Sequence, residues 1–290
     1  MKLELSNNSN NLPSKSSWTE TSIAESLAVL MQKERTVYRS CDYLHNGALG
    51  LQGVLDEEDR TKMVEWCYSV VDICQLERES VSMAMEMVDR FLSKKSNGAK
   101  EVLVGDRIQF QLLTLTALYV SIKMSMKMVL GSEFFSIISR DLYAVKEIEA
   151  MEKILLEELS WYITAPTCVQ MSHHILSLIS THTTLSKTTL TTILNEVEYQ
   201  AEYSVRDYYF VTQRPSTVAI AAILNTTLDR FDKHESEDIV RAVFTVMSNT
   251  AEFESIDTIL ATRKKLHNLV YGHGNTAGDC EETDDQWYLY

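Results

Sequence analysis

Two adjacent charged residues, Asp89 and Arg90, lie in the Val88-Asp-Arg-Phe-Leu92 core of the stretch Met85-Glu-Met-Val-Asp-Arg-Phe-Leu-Ser93, with apolar residues on both sides. Charged side chains are rarely fully buried unless they are paired. A lone buried charge is costly, so we expect the carboxylate to have a partner on a neighbouring helix. Arg60, six residues before Trp66, is the candidate partner of Asp89. Such a pair would lock two helices together, which indicates a helical docking module rather than an active site.

The other residue types that carry chemistry do not form a recognisable site. The chain has no Gly-x-Gly-x-x-Gly motif and no phosphate-binding P-loop. His173 and His174 are adjacent, so on a helix they point about 100° apart and make a poor metal pair. Cys67 and Cys74 share one helical face, where core packing accounts for them. No carboxylates form a pattern typical of a tuned acid–base pair. The sequence therefore predicts no enzyme activity, no metal and no cofactor.

Charge and cysteine usage restrict the partners and the compartment. The net charge of -14 argues against binding to nucleic acid, which requires a basic face, and against an anionic membrane surface. The five cysteines are scattered without a C-x-x-C motif, which indicates reduced thiols. The polar first seventeen residues contain no apolar signal segment. We therefore expect no nucleic-acid or membrane partner and a location in the nucleus and cytoplasm.

The elements that must position these residues are helices. Only three prolines and nine glycines occur, which favours long helices over hairpins. Apolar periodicity predicts helices at 18–38, 57–74, 79–92, 106–127, 132–138, 142–159, 168–179, 190–208, 215–228, 237–247 and 256–270. After the first helix, two sets of five indicate an internal duplication, in which Leu115–Ile122 compares with Thr217–Leu224.

In order and spacing, several of these motifs together resemble the cyclin box of the cyclin family. They are Arg60-x5-Trp66, Glu77-Arg-Glu-Ser-Val81, Val88-Asp-Arg-Phe-Leu-Ser93, Gln111-Leu-Leu113, Ala117 to Lys123, Met151-Glu152 and Ala165-Pro-Thr167. The resemblance covers about residues 20–170 and continues more weakly over 170–270. The segment Glu34–Leu44 is similar to the expanded cyclins of diatoms.

The resemblance implies an all-α protein with two tandem five-helix cyclin folds. Its expected parts are a disordered N-terminus (1–17), an N-terminal helix and loop (18–56), the cyclin box (57–165), a second cyclin fold (166–271) and a disordered acidic tail (272–290).

The resemblance also assigns a kinase-binding site. Lys123 and Glu152 match the lysine and glutamate with which cyclins bind main-chain groups of the kinase near its αC helix. Without the resemblance, Lys123 would be a snorkelling residue at the end of an apolar helix and Glu152 a solvated charge. The apolar residues of the same expected surface are Val120, Met124, Leu156, Trp161 and Ile163. Arg60 and Asp89 match the internal ion pair of the box.

A second cyclin surface, which recruits substrates, is degenerate in this chain. The family pattern Met-Arg-Ala-Ile-Leu-x-x-Trp corresponds to Asp59-Arg-Thr-Lys-Met-Val-Glu-Trp66. Arg60, Met63 and Trp66 are retained, and Gln111 matches a polar position beside the patch, but Asp59 and Lys62 replace apolar residues. Desolvating these charges would cost more than a peptide leucine returns, so we expect weak or absent docking of Arg-x-Leu peptides.

The function implied by the resemblance is that of a regulatory subunit, in a heterodimer with a cyclin-dependent protein kinase, that acts on protein substrates and controls cell-cycle progression. Two alternatives stay open. One is a cyclin of a transcription- or nutrient-signalling kinase. The other is a module like the general transcription factors, which share the tandem fold and bind DNA; the acidic charge and the absence of a paired C-x-x-C count against it.

Overall fold

A computed structural model describes residues 20–45, 55–94, 107–125, 130–250 and 252–272. Over these residues the chain is helical and contains no strand, which confirms the all-α prediction. The helices are α1 (Glu20–Arg35), α2 (Glu57–Ile73), α3 (Glu79–Leu92), α4 (Arg107–Ser125), α5 (Ser132–Ile138), α6 (Val145–Glu158), α7 (Cys168–His182), α8 (Lys187–Arg206), α9 (Pro215–Arg230), α10 (Lys233–Asn249) and α11 (Ile256–Tyr271), with a 3₁₀ turn at Tyr208–Thr212.

Two helical units, α2–α6 and α7–α11, each surround one central helix. In α4 every residue from 112 to 122 is buried, and in α9 every residue from 216 to 227 is buried. A helix that is buried on all sides consists mainly of apolar or small residues, and both sequences do. Small residues such as Ala117 and Ala221 let the neighbouring helices approach closely. The predicted tandem arrangement of two five-helix folds is therefore confirmed.

Helix α1 packs against the second unit rather than the first. Leu27 and Met31 are fully buried in the core that α7–α11 form. Glu34, 2% exposed, accepts hydrogen bonds from the Ser216 backbone N–H (2.9 Å) and hydroxyl (2.5 Å) at the start of α9. A carboxylate at a helix N-terminus accepts hydrogen bonds from backbone N–H groups that lack a partner within the helix. Its negative charge also interacts favourably with the positive end of the helix dipole. The N-terminal helix is thereby tied to the second unit.

The two units meet along a seam between α2 and α8. The Arg60 guanidinium donates to the Val205 carbonyl (2.6 Å), and the Thr61 hydroxyl donates to the Arg206 carbonyl (3.1 Å). Arg206 also pairs with Glu65 at 2.6 Å. Main-chain carbonyls at the end of α8 are thus satisfied by side chains of the first unit, which joins the two units.

Several predicted features differ from the structure or fall outside it. The helix predicted over 142–159 begins at Val145, because Arg140 and Asp141 have left-handed φ angles of 55° and 58° and a turn follows them. Residues 1–17, the loop residues 46–54 and the acidic tail beyond Gly272 lie outside the described residues.

Candidate protein-docking site

The structure brings Lys123 and Glu152 together. Lys123 lies in the last turn of α4, and its Nζ is 3.0 Å from Oε1 of Glu152 on α6. Nζ also lies 5.2 Å from the centre of the Tyr119 ring. The hydrogen bond to Glu152 raises the pKa of Lys123. Lys123 is 46% exposed, whereas Glu152 is 16% exposed, so the lysine is the more accessible half of this pair.

The chain leaves α6 through a turn that displays a tryptophan. Ser160 and Trp161 have left-handed φ angles of 53° and 63°, and the Trp161 N–H donates to the Leu156 carbonyl at 2.9 Å. Non-glycine residues in this region cost roughly 1–3 kcal/mol each, so the surroundings must hold the turn in place. The Trp161 side chain is 68% exposed. The fold therefore presents a large apolar ring to solvent on a strained turn.

The apolar residues that the resemblance placed in the docking surface differ in their exposure. Met124 is 56% exposed and Tyr162 is 52% exposed, while Ile163 is partly buried. Val120 and Leu156, which the resemblance placed in the surface, are 2% and 8% exposed. Both side chains pack into the core of the first unit, so they support the surface from below.

Arg60 and Asp89 form a buried ion pair inside the first unit. The Arg60 Nε and Nη2 atoms donate to the two Asp89 carboxylate oxygens at 2.9 and 2.7 Å, and the Tyr43 hydroxyl donates to the same carboxylate at 2.9 Å. Burial would lower the pKa of Arg60, but the Asp89 carboxylate outweighs it and the net pKa is raised. Both side chains are at most 7% exposed, so this pair holds α2 and α3 together and is not part of a docking surface.

In the region of the predicted substrate patch, both charged replacements have partners within the chain. Asp59 is 8% exposed, accepts the Asp56 N–H in a capping box at the start of α2 and lies 2.9 Å from Arg107. Lys62 pairs with Glu58 at 2.7 Å. Asp59 is thus not an unpaired charge on the patch, and displacing it would break a helix cap.

The other patch positions are only partly available. Met63 is buried in the first core, and Trp66 is partly buried against it. The Gln111 side-chain oxygen accepts a hydrogen bond from the Tyr143 hydroxyl at 3.2 Å. The apolar surface available for a peptide leucine is correspondingly small.

Sequence reasoning missed the role of Arg90. This side chain, 3% exposed, stacks over the Tyr38 ring at 4.6 Å and donates to the Val37 carbonyl (3.3 Å) and to the Tyr162 carbonyl. Its partners are 53 and 72 residues distant, which no local pattern indicates. The one available signal was the second charge in the apolar stretch, which needed a partner as much as Asp89 did.

Within the described ranges, no group of three or more His, Cys, Asp or Glu side chains could hold a metal ion. Among those same residues, no helix is long and apolar enough to cross a bilayer.

Known proteins resemble this chain over its first helical unit. Residues 25–164 match the family model described as cyclin, N-terminal domain. Relatives include the G2/mitotic-specific cyclin-A1 of Caenorhabditis elegans, 28% identical over 59% of this chain and 32% of that protein. Cyclin-B1-1 of Arabidopsis thaliana is 30% identical over 64% of this chain and 39% of that protein. The matched region spans less than half the length of each of these relatives.

Solved structures share the fold. A viral cyclin from herpesvirus saimiri aligns with a TM-score of 0.57 and 14% identity over 84% of this chain and 97% of the viral chain. A chain of the CAK complex from Chaetomium thermophilum bound to ATP-gamma-S aligns with a TM-score of 0.51 and 15% identity over 88% of this chain and 76% of that chain. The family model, the relatives and the shared helical fold agree, and the chain is similar to the cyclins over residues 25–164.

Proposed function

We propose that this chain is the regulatory subunit of a cyclin-dependent protein kinase, which it binds and activates, and that it has no catalytic chemistry of its own. The observation that carries the proposal is the Lys123–Glu152 pair, which joins α4 to α6 and leaves the lysine accessible. The same helical unit exposes the apolar side chains of Met124, after Lys123, and of Trp161, after α6. Relatives named as cyclins support the same function.

The polar pair suits main-chain recognition. A charged side chain that meets a backbone N–H or C=O makes a hydrogen bond about twice as strong as a neutral one. Lys123 can donate to a carbonyl at the end of a kinase helix, and Glu152 can accept from backbone N–H groups. Because the two charges already hold each other in position, little side-chain entropy remains to be lost on binding.

The apolar part of the surface would supply most of the affinity. Aromatic residues carry much of the binding energy in protein interfaces, and Trp161 offers the largest such side chain here. An interface of this kind buries above ~2,000 Å² in total. A rigid platform of this size would stabilise the kinase αC helix in its inward position, where its glutamate pairs with the β3 lysine and aligns ATP.

We further propose that the kinase acts on protein substrates in cell-cycle progression, in the nucleus and cytoplasm. Relatives named as mitotic cyclins support the cell-cycle role. A cyclin of a transcription- or nutrient-signalling kinase is the second candidate. A DNA-binding module is disfavoured because the net charge is -14.

Binding measurements with a charge reversal test the proposal. The full chain is titrated against a panel of purified cyclin-dependent kinases, and Lys123→Glu is compared with Lys153→Glu, an exposed lysine on α6 that pairs only loosely with Glu157. We expect Lys123→Glu to raise the Kd about tenfold or more for the kinase that binds, and Lys153→Glu to change it less than about twofold. Equal affinities of the two variants would contradict the proposed site.

A further inference from the structure

A buried arginine lies directly beneath the exposed turn of the docking surface. The Arg90 guanidinium extends from α3 and contacts two segments that are distant in sequence. It donates to the Val37 carbonyl at 3.3 Å and to the Tyr162 carbonyl, and it lies 4.6 Å from the centre of the Tyr38 ring. The Tyr38 and Tyr162 rings also meet edge to face, with centroids 6.3 Å apart.

The turn itself has few other restraints. Its residues make short-range backbone hydrogen bonds, from Trp161 to Leu156 (2.9 Å) and from Tyr162 to Leu159 (3.0 Å), and both side chains are more than half exposed. The left-handed φ of Trp161 is unfavourable unless the neighbouring chain is fixed. Arg90 supplies that restraint, since it is the side chain that binds the Tyr162 carbonyl.

We propose that Arg90 is a positioning residue, which fixes the Ser160–Tyr162 turn and so orients Trp161 for docking, and which couples this turn to the Val37–Tyr38 segment after α1. The role in docking rests on the proposed function, whereas the restraint on the turn can be measured without a partner.

The acidic groups near Arg90 do not replace the Val37 and Tyr162 carbonyls as acceptors of its hydrogen bonds. Its nearest acidic group is Glu86, one helical turn earlier, with Oε1 2.9 Å from the Arg90 Nε. Neither atom has an aligned hydrogen-bond partner among the described residues. Burial raises the pKa of Glu86 to about 8, against the lowering effect of Arg90. Asp89 is already engaged by Arg60. Glu86 thus lies close to Arg90 without taking an aligned hydrogen bond from it.

The geometry requires arginine rather than lysine. A guanidinium presents donors in a planar fork, which can serve two carbonyls from two segments while its face stacks on an aromatic ring. An ammonium is a compact charge that cannot make all three contacts from one position. Arg90→Lys therefore keeps the charge and the apolar stem but removes the bridge.

Hydrogen exchange of the full chain without kinase tests the restraint. We expect the amides of residues 160–163 to exchange about tenfold or more faster in Arg90→Lys, while α9 and α10 in the second unit are unchanged. Tyr38→Leu, which removes the stacking ring at a partly exposed site, should show a smaller change in the same segment. Arg241→Lys, which makes the same change at an exposed arginine of α10, is the matched control and should leave the turn as in the wild type.

Two results would overturn the inference. One is unchanged exchange at 160–163 in Arg90→Lys. The other is faster exchange that spreads evenly over α3 and α4, which would make the role of Arg90 merely structural.

Binding to the kinase separates this inference from the proposed function. With a kinase that the wild type binds, Arg90→Lys should raise the concentration for half-maximal activation about tenfold and leave the maximal rate unchanged. A loosened turn without any loss of affinity would refute the role of Arg90 in docking. If the wild-type chain bound no kinase, the proposed function would fail, while the exchange result would still decide whether Arg90 fixes the turn.

Discussion

Replacing Asp89 with alanine should strongly destabilise the first helical unit. The carboxylate accepts three hydrogen bonds, two from the Arg60 guanidinium and one from the Tyr43 hydroxyl. Its removal leaves a guanidinium that is 4% exposed without its counter-ion and a buried hydroxyl without its acceptor. Burying an unpaired charge is among the largest costs that a single substitution can impose.

The magnitude follows from the contacts. Hydrogen bonds to charged groups are worth ~1.5–3 kcal/mol each, so three would sum to roughly 4.5–9 kcal/mol. This sum is an upper limit, because Arg60 keeps its bond to the Val205 carbonyl. Breaking buried pairs typically costs ~3–5 kcal/mol, and we expect a loss of unfolding free energy in that range. The melting temperature should fall by about 6–20 °C.

Urea unfolding followed by circular dichroism measures this loss. The matched control is Asp72→Ala, which removes an exposed partner of Arg78 and should cost at most about 1 kcal/mol. The double variant Arg60→Met with Asp89→Leu should be more stable than the sum of its single variants by about 2 kcal/mol or more. A loss below about 1 kcal/mol for Asp89→Ala, or single effects that simply add, would refute the reasoning.

Two further predictions concern Glu86 and the substrate patch. Because the folded-state pKa of Glu86 is about 8 and the ordinary value is 4.5, its contribution to stability is present at low pH and is lost as pH rises towards 8. The stability of Glu86→Gln relative to wild type should therefore increase as the pH rises from about 5 to about 9, by at most ~5 kcal/mol. Urea unfolding at several pH values measures this difference. A difference that does not change with pH would contradict the prediction. For the patch, calorimetry of the chain–kinase complex with an Arg-x-Leu peptide should show weak or no binding, and micromolar binding that is lost on Trp66→Ala would contradict it.

Local patterns predicted the helices well. The bounds expected for α3 and α5 agree with those observed, and α2 ends one residue before its predicted end. The ion pair predicted between Asp89 and Arg60 is also present. A carboxylate inside an apolar helix needs a charged partner, and the neighbouring helices contain few candidates. These features depend on periodicity and on the cost of an unpaired charge, both of which can be judged from sequence.

Features that depend on long-range contacts could not be predicted in this way. In α4, which is apolar on all sides, periodicity does not separate buried Val120 from exposed Met124. The left-handed φ of Trp161 has no sequence signal, since glycine usually occupies such positions. The capping role of Asp59 and its contact with Arg107 were also not predicted, because they depend on the three-dimensional arrangement around the start of α2.

Kinase activation is the most direct test of the central claim. The phosphorylation rate of a peptide by a purified cyclin-dependent kinase is measured with no added chain and with the full chain at a concentration close to its wild-type Kd. Wild type should raise the rate about tenfold or more, Lys153→Glu should do the same, and Lys123→Glu at the same concentration should raise it far less. A rate that the wild-type chain leaves unchanged, for a kinase that it demonstrably binds, would contradict its assignment as an activating subunit.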